Sequence, residues 1–270
     1  MTRLVLLVVL LAARAVAAAE PWTTLEPGLE LGTFPAPRRS WHGDSIVQVV
    51  RIDPTRFSLR LLSASAPGQG RLRTARQWVE ENDLVAAINA SMYQQDYRKS
   101  ISLMQTTGYV NNAALSKDKT VLAFDPLDDS VPAVQIIDRE CQDFATLRTK
   151  YASLVQSIRM VSCHGRNVWA PQAREWSTAA IGTDRAGRVL FIHVRSPYST
   201  HDLIEILLGL PIELQRAMYV EGGPQAQLYL RPASGAAREF VGSHGSSSGG
   251  PDGNDQAWPV PNVIGIARRR

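Results

Sequence analysis

Thr178-Ala179-Ala180-Ile181-Gly182-Thr183-Asp184-Arg185-Ala186-Gly187-Arg188-Val189-Leu190-Phe191-Ile192-His193-Val194 is the stretch whose reading decides the fold. Two apolar runs rich in strand formers, 178–183 and 188–194, flank the four-residue connection 184–187. A link that short joins antiparallel neighbours, whereas parallel strands need a crossover of a dozen or more residues.

Toward the N-terminus, residues 155–158 read as a strand ending at Arg159, and 144–154 as a helix. Residues 120–124 and 133–137 are two strands separated by the turn-rich Asp125-Pro126-Leu127-Asp128-Asp129. Thr74 can cap a short helix to about Asn82, with Trp78 and Val79 inward, before the apolar strand 84–88 delivers Asn89. Residues 45–52 and 57–61, around Asp53-Pro54, read as a hairpin. Toward the C-terminus come a helix over 201–208 capped by Thr200, strands at 217–220 and 227–230, a Gly/Ser-rich loop over 242–255 and a last strand at 263–266. Strands with interspersed short helices and no regular βαβ rhythm predict an α+β fold, a mainly antiparallel sheet with a few short helices in a single domain, 45–270, preceded by an extension, 20–44.

The first residues predict export. Met1-Thr2-Arg3 is a basic start, residues 4–13 are apolar, and Ala15-Val16-Ala17-Ala18-Ala19 suits a signal peptidase, so 1–19 reads as a cleaved signal and the mature protein as periplasmic or secreted. The apolar run is short and interrupted by Arg14, so stable membrane insertion after cleavage is not expected. The formal charge of +4 loses Arg3 and Arg14 with the signal, leaving about +2. That small and dispersed excess argues against nucleic acid as a partner. Cys141 and Cys163, the two cysteines, suit a disulfide in an oxidising compartment, worth roughly 3 kcal/mol in the chain-entropy model. The five histidines are scattered, without metal-ligand spacing, so no metal or other cofactor is expected.

Chemistry concentrates where strands end. Tyr219-Val220-Glu221-Gly222-Gly223-Pro224 sets a carboxylate before two glycines, whose backbone can turn sharply or approach a ligand; a plain turn is the alternative. Asn89 can fix sugar hydroxyls or phosphate oxygens, or cap its own turn. Arg159 and Arg195 can grip an anion, or form structural ion pairs with Glu221 or Asp184. His201, at a helix start, is a candidate general acid or base, while His193 reads as a sheet or core residue. Gly245-Ser246-Ser247-Ser248-Gly249 fits the spacing of a nucleophile elbow but lacks the apolar pattern of its flanking strand and helix, which argues against a serine hydrolase.

The order of the pieces is more specific than any one of them. Ala87-Ile88-Asn89-Ala90-Ser91-Met92-Tyr93, then Gln156-Ser157 with Arg159-Met160, then Ala179-Ala180-Ile181-Gly182 with Asp184 and Gly187-Arg188, then Tyr219 to Gly223, then Pro261-Asn262-Val263-Ile264-Gly265 resembles the phosphodiester glycosidase family. This chain departs from the family pattern at Ala90-Ser91, which replaces two glycines, at Ile158-Arg159, which replaces Gly-Pro, at Thr178, where an arginine is usual, and at Glu221, where an aspartate is usual. The resemblance implies hydrolysis of a glycosyl phosphodiester, with a carbohydrate phosphodiester or polysaccharide as partner. It implies Glu221 as acid, base or nucleophile, Asn89 as the group that positions sugar or phosphate, and Arg159 and Arg195 on the phosphate. Gly222, Gly223, Ser91 and His201 complete the expected substrate contacts. A binding protein of the same fold that does not cleave is the alternative.

Overall fold

A computed structural model describes residues 21–245 and 256–269. The expected signal, the Gly-Ser-rich residues 246–255 and Arg270 lie outside the described residues. In chain order the elements are β1 (Trp22–Glu26), β2 (Leu29–Pro35), β3 (Ile46–Ile52), β4 (Phe57–Ser63), α1 (Ala75–Glu81), β5 (Ala86–Asn89), β6 (Met104–Thr106), β7 (Tyr109–Asn112), β8 (Thr120–Pro126), β9 (Val134–Asp138) and α2 (Phe144–Leu147). They continue with β10 (Tyr151–Val161), β11 (Trp176–Asp184), β12 (Val189–Tyr198), α3 (Thr200–Gly209), β13 (Leu214–Gly222), β14 (Gln227–Leu230), β15 (Arg238–Val241) and β16 (Asn262–Arg268).

Two antiparallel sheets result. The larger runs β1-β2-β3-β12-β11-β13-β10-β6-β7, with β8 and β9 paired beyond β10; the smaller runs β15-β14-β5-β16-β4. The deciding hairpin forms, with Ile181 opposite Phe191 and Thr183 opposite Val189. Asp184 holds its turn, accepting from Ala186 N–H at 3.0 Å and Arg188 N–H at 2.9 Å.

Strand alternation explains why these runs are continuously apolar. Along β12, Val189 and Phe191 face the core between the sheets, with Leu59, Ile88 and Ile264 of the smaller sheet. Leu190, Ile192 and Val194 face the other way, under Leu203, Ile204 and Leu207 of α3. Both faces are covered, so alternation with polar residues disappears. Helix α1 covers the outer face of the smaller sheet, placing Trp78 and Val79 against Leu84, Ala87, Tyr229 and Val263. Its start is the expected Thr74, in a full capping box with Gln77, worth about 1 kcal/mol. The architecture is α+β: helix, large sheet, core, small sheet, helix.

Four expectations need correction. Residues 45–52 and 57–61 do not pair: β3 lies between β2 and β12, while β4 pairs with β16. The turn itself is present, with Arg56 and Phe57 N–H donating to Asp53 O at 3.1 and 3.0 Å, but the chain uses it to pass between sheets. Val50 and Ile52 then share one core with Leu59 and Leu61 of the smaller sheet. The helix read at 144–154 ends at Leu147, and β10 starts at Tyr151. Phe144, Leu147, Tyr151 and Leu154 have helical spacing, yet one helical turn followed by a strand brings all four to the same apolar cluster. The cap of α3 is Ser199, whose hydroxyl accepts from Asp202 N–H at 3.1 Å, one residue before the expected Thr200. Residues 22–35, read as part of an extension, form β1 and β2 of the larger sheet. The two cysteines, with Cα atoms 6.5 Å apart, form the expected bridge.

Candidate active site

Glu221 stands at the end of β13, where the chain leaves the larger sheet through a 3-10 turn, Gly223–Gln225, and enters the smaller one as β14. Ala179 opposes Glu221 while Ala180 opposes Tyr219, so Val220 is an extra residue on β13. Such a bulge re-aims the residues beyond it. Glu221 lines a hollow of about 330 Å³ with Met92, Tyr93, Gln94, Gln95, Tyr97 and Gln225. Its Oε1 accepts from the N–H of Gly222 at 2.9 Å. Burial pushes its carboxyl up to about 8, and this hydrogen bond opposes the shift only in part. Burial, and then the charge of Glu221, also raises the phenols of Tyr93 and Tyr219. Among the described residues lining this hollow none is cationic.

The glycines have separate jobs. At residue 222 the Tyr219 hydroxyl occupies the place of a Cβ, and Trp176 Cδ1 lies 2.8 Å from it. Gly223 has φ +64°, the left-handed region that favours glycine. On the opposite rim Tyr97 is held at φ +54°, which a bulky residue seldom adopts, and its N–H donates to Gln94 O at 3.0 Å. Its ring leans on Tyr93, with centroids 5.6 Å apart.

Asn89 sits beneath this hollow. Its amide donates to Gln225 O at 2.9 Å and accepts from Gln227 N–H at 2.8 Å. It is buried and fixes the turn that follows Glu221. Ser91, also buried, donates to Gln156 O at 3.1 Å and contacts Ser157 Oγ, which in turn donates to Tyr219 O. Both residues place the backbone of the site.

Arg159 lies elsewhere, inside β10 rather than after a strand. Its Nη1 is 3.0 Å from Asp138 Oδ1 and 2.7 Å from Glu140 Oε2. Although burial acts to raise it, the carboxyl of Asp138 is held below its usual value by the N–H groups of Glu140 and Cys163 and by Arg159. This is the structural ion pair weighed from sequence, but with Asp138 and Glu140 as partners. The sequence-based partner Asp184 is bound by Arg188 at 2.6 Å. Arg159 lines a second hollow, about 500 Å³, with Lys117, Lys119 and Trp169. Arg195 lies in β12, and its Nη1 donates to Val241 O at 3.0 Å. It lines neither hollow, and β11 separates its strand from that of Glu221.

His201 accepts at Nδ1 from, or donates to, its neighbours according to its tautomer: Trp169 O is 2.5 Å away and Asn167 Nδ2 3.2 Å. It positions Trp169. His193 is buried as expected, and burial pushes it down to about 4, so it is neutral. Asn89, Arg159, Arg195 and Glu221 therefore do not line one cleft. Sequence reading missed Tyr97, the glutamines of the rim and Trp169; two tyrosines four residues apart, directly after Asn89, were the available signal.

The phosphodiester glycosidase family matches residues 82–267. No curated protein matches in sequence. In structure the chain is similar to the catalytic domain of zebrafish N-acetylglucosamine-1-phosphodiester alpha-N-acetylglucosaminidase, auto-inhibited by its pro-peptide, with TM-score 0.64, 13% identity, and 90% of this chain and 85% of that one covered. It is also similar to a hypothetical protein from Synechocystis, with TM-score 0.59, 14% identity, and 95% and 65% covered. These structures share the fold, and the family match spans the strands that carry Asn89, Arg159, Arg195 and Glu221: this chain belongs to the phosphodiester glycosidase family.

Proposed function

We infer that this protein is an exported hydrolase that cleaves a glycosyl phosphodiester in envelope or exported glycans, with Glu221 as its acid. The observation that carries the reading is the uncompensated carboxyl of Glu221 in the tyrosine- and glutamine-rimmed hollow. Kept protonated near neutral pH, a carboxyl can approach an anionic diester without like-charge repulsion and give its proton to the departing oxygen. Gln95 and Gln225 offer amides to sugar hydroxyls, and the rings of Tyr93 and Tyr97 offer apolar faces. The basic, apolar and small-residue pattern of the first 19 residues supports export.

A glycan-binding protein of the same fold is the second reading. The engagement of Asn89 and Arg159 by other protein groups favours it, since neither is then free to grip phosphate. A panel of glycosyl-1-phosphodiesters separates the two. The first reading predicts turnover that falls as pH rises through about 8, and a loss of about 100-fold or more in Glu221→Gln. Turnover that survives this substitution removes Glu221 from the mechanism, and glycan binding without turnover establishes the second reading.

A further inference from the structure

The second hollow is a built aromatic platform. Trp169 is immobilised at three points: its ring N–H donates to Arg159 O at 2.7 Å, its main-chain N–H donates to Asn167 Oδ1 at 3.0 Å, and its carbonyl meets His201 Nδ1. Asn167 is itself tied to His201 O at 3.0 Å and Glu205 Oε1 at 2.8 Å. Behind the indole lies Tyr219, its ring centroid 6.1 Å away. Ile158 and the exposed Val168 add apolar lining, and Lys117 and Lys119 stand exposed at the rim. Among the described residues, the ion-pair partner of Lys119 is the distant Glu140, at 3.7 Å, and the one lining carboxylate, Asp118, accepts from the hydroxyls of Ser102 and Ser116.

We propose that this hollow binds an anionic sugar residue, one bearing a uronate or a phosphate, with its apolar face on Trp169 and its anion between Lys117 and Lys119. A fixed indole loses little rotamer freedom when a ring stacks on it, and two ammonium groups select charge by salt-sensitive, charge-assisted hydrogen bonds. The hollow adjoins the Glu221 site: Ile158 opposes Tyr219 in the sheet, and Met92, which lines the Glu221 hollow, packs into the same apolar cluster as Ile158 and Trp169. The proposal deepens the function above and rests on it only in making the bound residue part of the substrate. The Glu221 hollow would take the neutral sugar and the Trp169 hollow the acidic portion of the chain.

Calorimetric titration of the mature protein tests it with three probes: an oligogalacturonate, N-acetylglucosamine 1-phosphate and a neutral galacto-oligosaccharide. At least one acidic probe binds, about tenfold or more tighter than the neutral one, and which one identifies the anion. Lys117→Ala combined with Lys119→Ala weakens it about tenfold and flattens its salt dependence. Trp169→Ala abolishes binding and Trp169→Phe retains part of it; melting curves check that both fold. Glu221→Gln binds the oligogalacturonate as the parent does, so a failed turnover assay and a failed binding assay remain distinct. Equal affinity for acidic and neutral probes, no binding of either acidic probe, or parent-like binding by the lysine double variant overturns the proposal.

Discussion

Glu221 and Arg159 look alike in sequence, each a charged residue at the edge of an apolar run, yet the fold treats them oppositely. Arg159 meets two carboxylates, one of them on the fully buried Asp138. Glu221 meets a backbone N–H, two tyrosines and neutral amides, with no cation lining its hollow among the described residues. A compensated charge keeps its ionised state and contributes to structure. An uncompensated one is driven toward its neutral form, the protonation state that the proposed acid role requires.

Three measurements can break or sharpen this contrast. Asp138→Ala leaves Arg159 partly unpaired and removes the acceptor for the N–H groups of Glu140 and Cys163, so denaturant unfolding should show a loss of about 3–5 kcal/mol. A loss near zero would mean that Glu140 alone balances Arg159. Gly222→Ala forces the Tyr219 hydroxyl off the position it shares with the new methyl. It should cost about 1–3 kcal/mol in the same assay and lower turnover, because Tyr219 borders the Glu221 site.

The third effect is a slope, small per pH unit and cumulative over the titration. The carboxyl of Glu221 titrates at about 8 when folded, above its ordinary value of 4.5. The folded state therefore holds a proton that the unfolded chain releases, and its stabilising effect is full below about 4.5 and lost as pH rises toward 8. The slope is at most about 1.4 kcal/mol per pH unit. Glu221→Gln should abolish that slope in pH-resolved unfolding while leaving the contribution of Asp138 intact. An identical slope in the variant would place the titration elsewhere.

Much of the local structure around these residues is legible in the sequence. The hairpin over 178–194, the capped helix after Thr74 and the Glu-Gly-Gly terminus are each specified within a few residues, by alternation, cap chemistry and glycine geometry. The partners of Arg159 were not, because Asp138 lies 21 residues away and becomes its neighbour only through the β8-β9 and β10 pairings. The same holds for residues 45–61. Their alternation reads as two strands with a turn, but whether such strands pair edge to edge or pack face to face depends on which other strands compete for their edges. Asn89 was found, but its partners were not: sequence offers its amide, and only the fold shows that amide tied to Gln225 and Gln227.

By itself, then, the sequence determined the α+β class, most strand positions and the acid before two glycines, since all of these follow from local period, spacing and residue chemistry, while only the fold brings Cys141 and Cys163 together. The tertiary structure decided which charged groups are compensated, which polar groups are already engaged and how the apolar faces meet. Those depend on distances between residues far apart in the chain, and a few ångströms to the nearest opposite charge separate a structural ion pair from a carboxyl driven toward its neutral form.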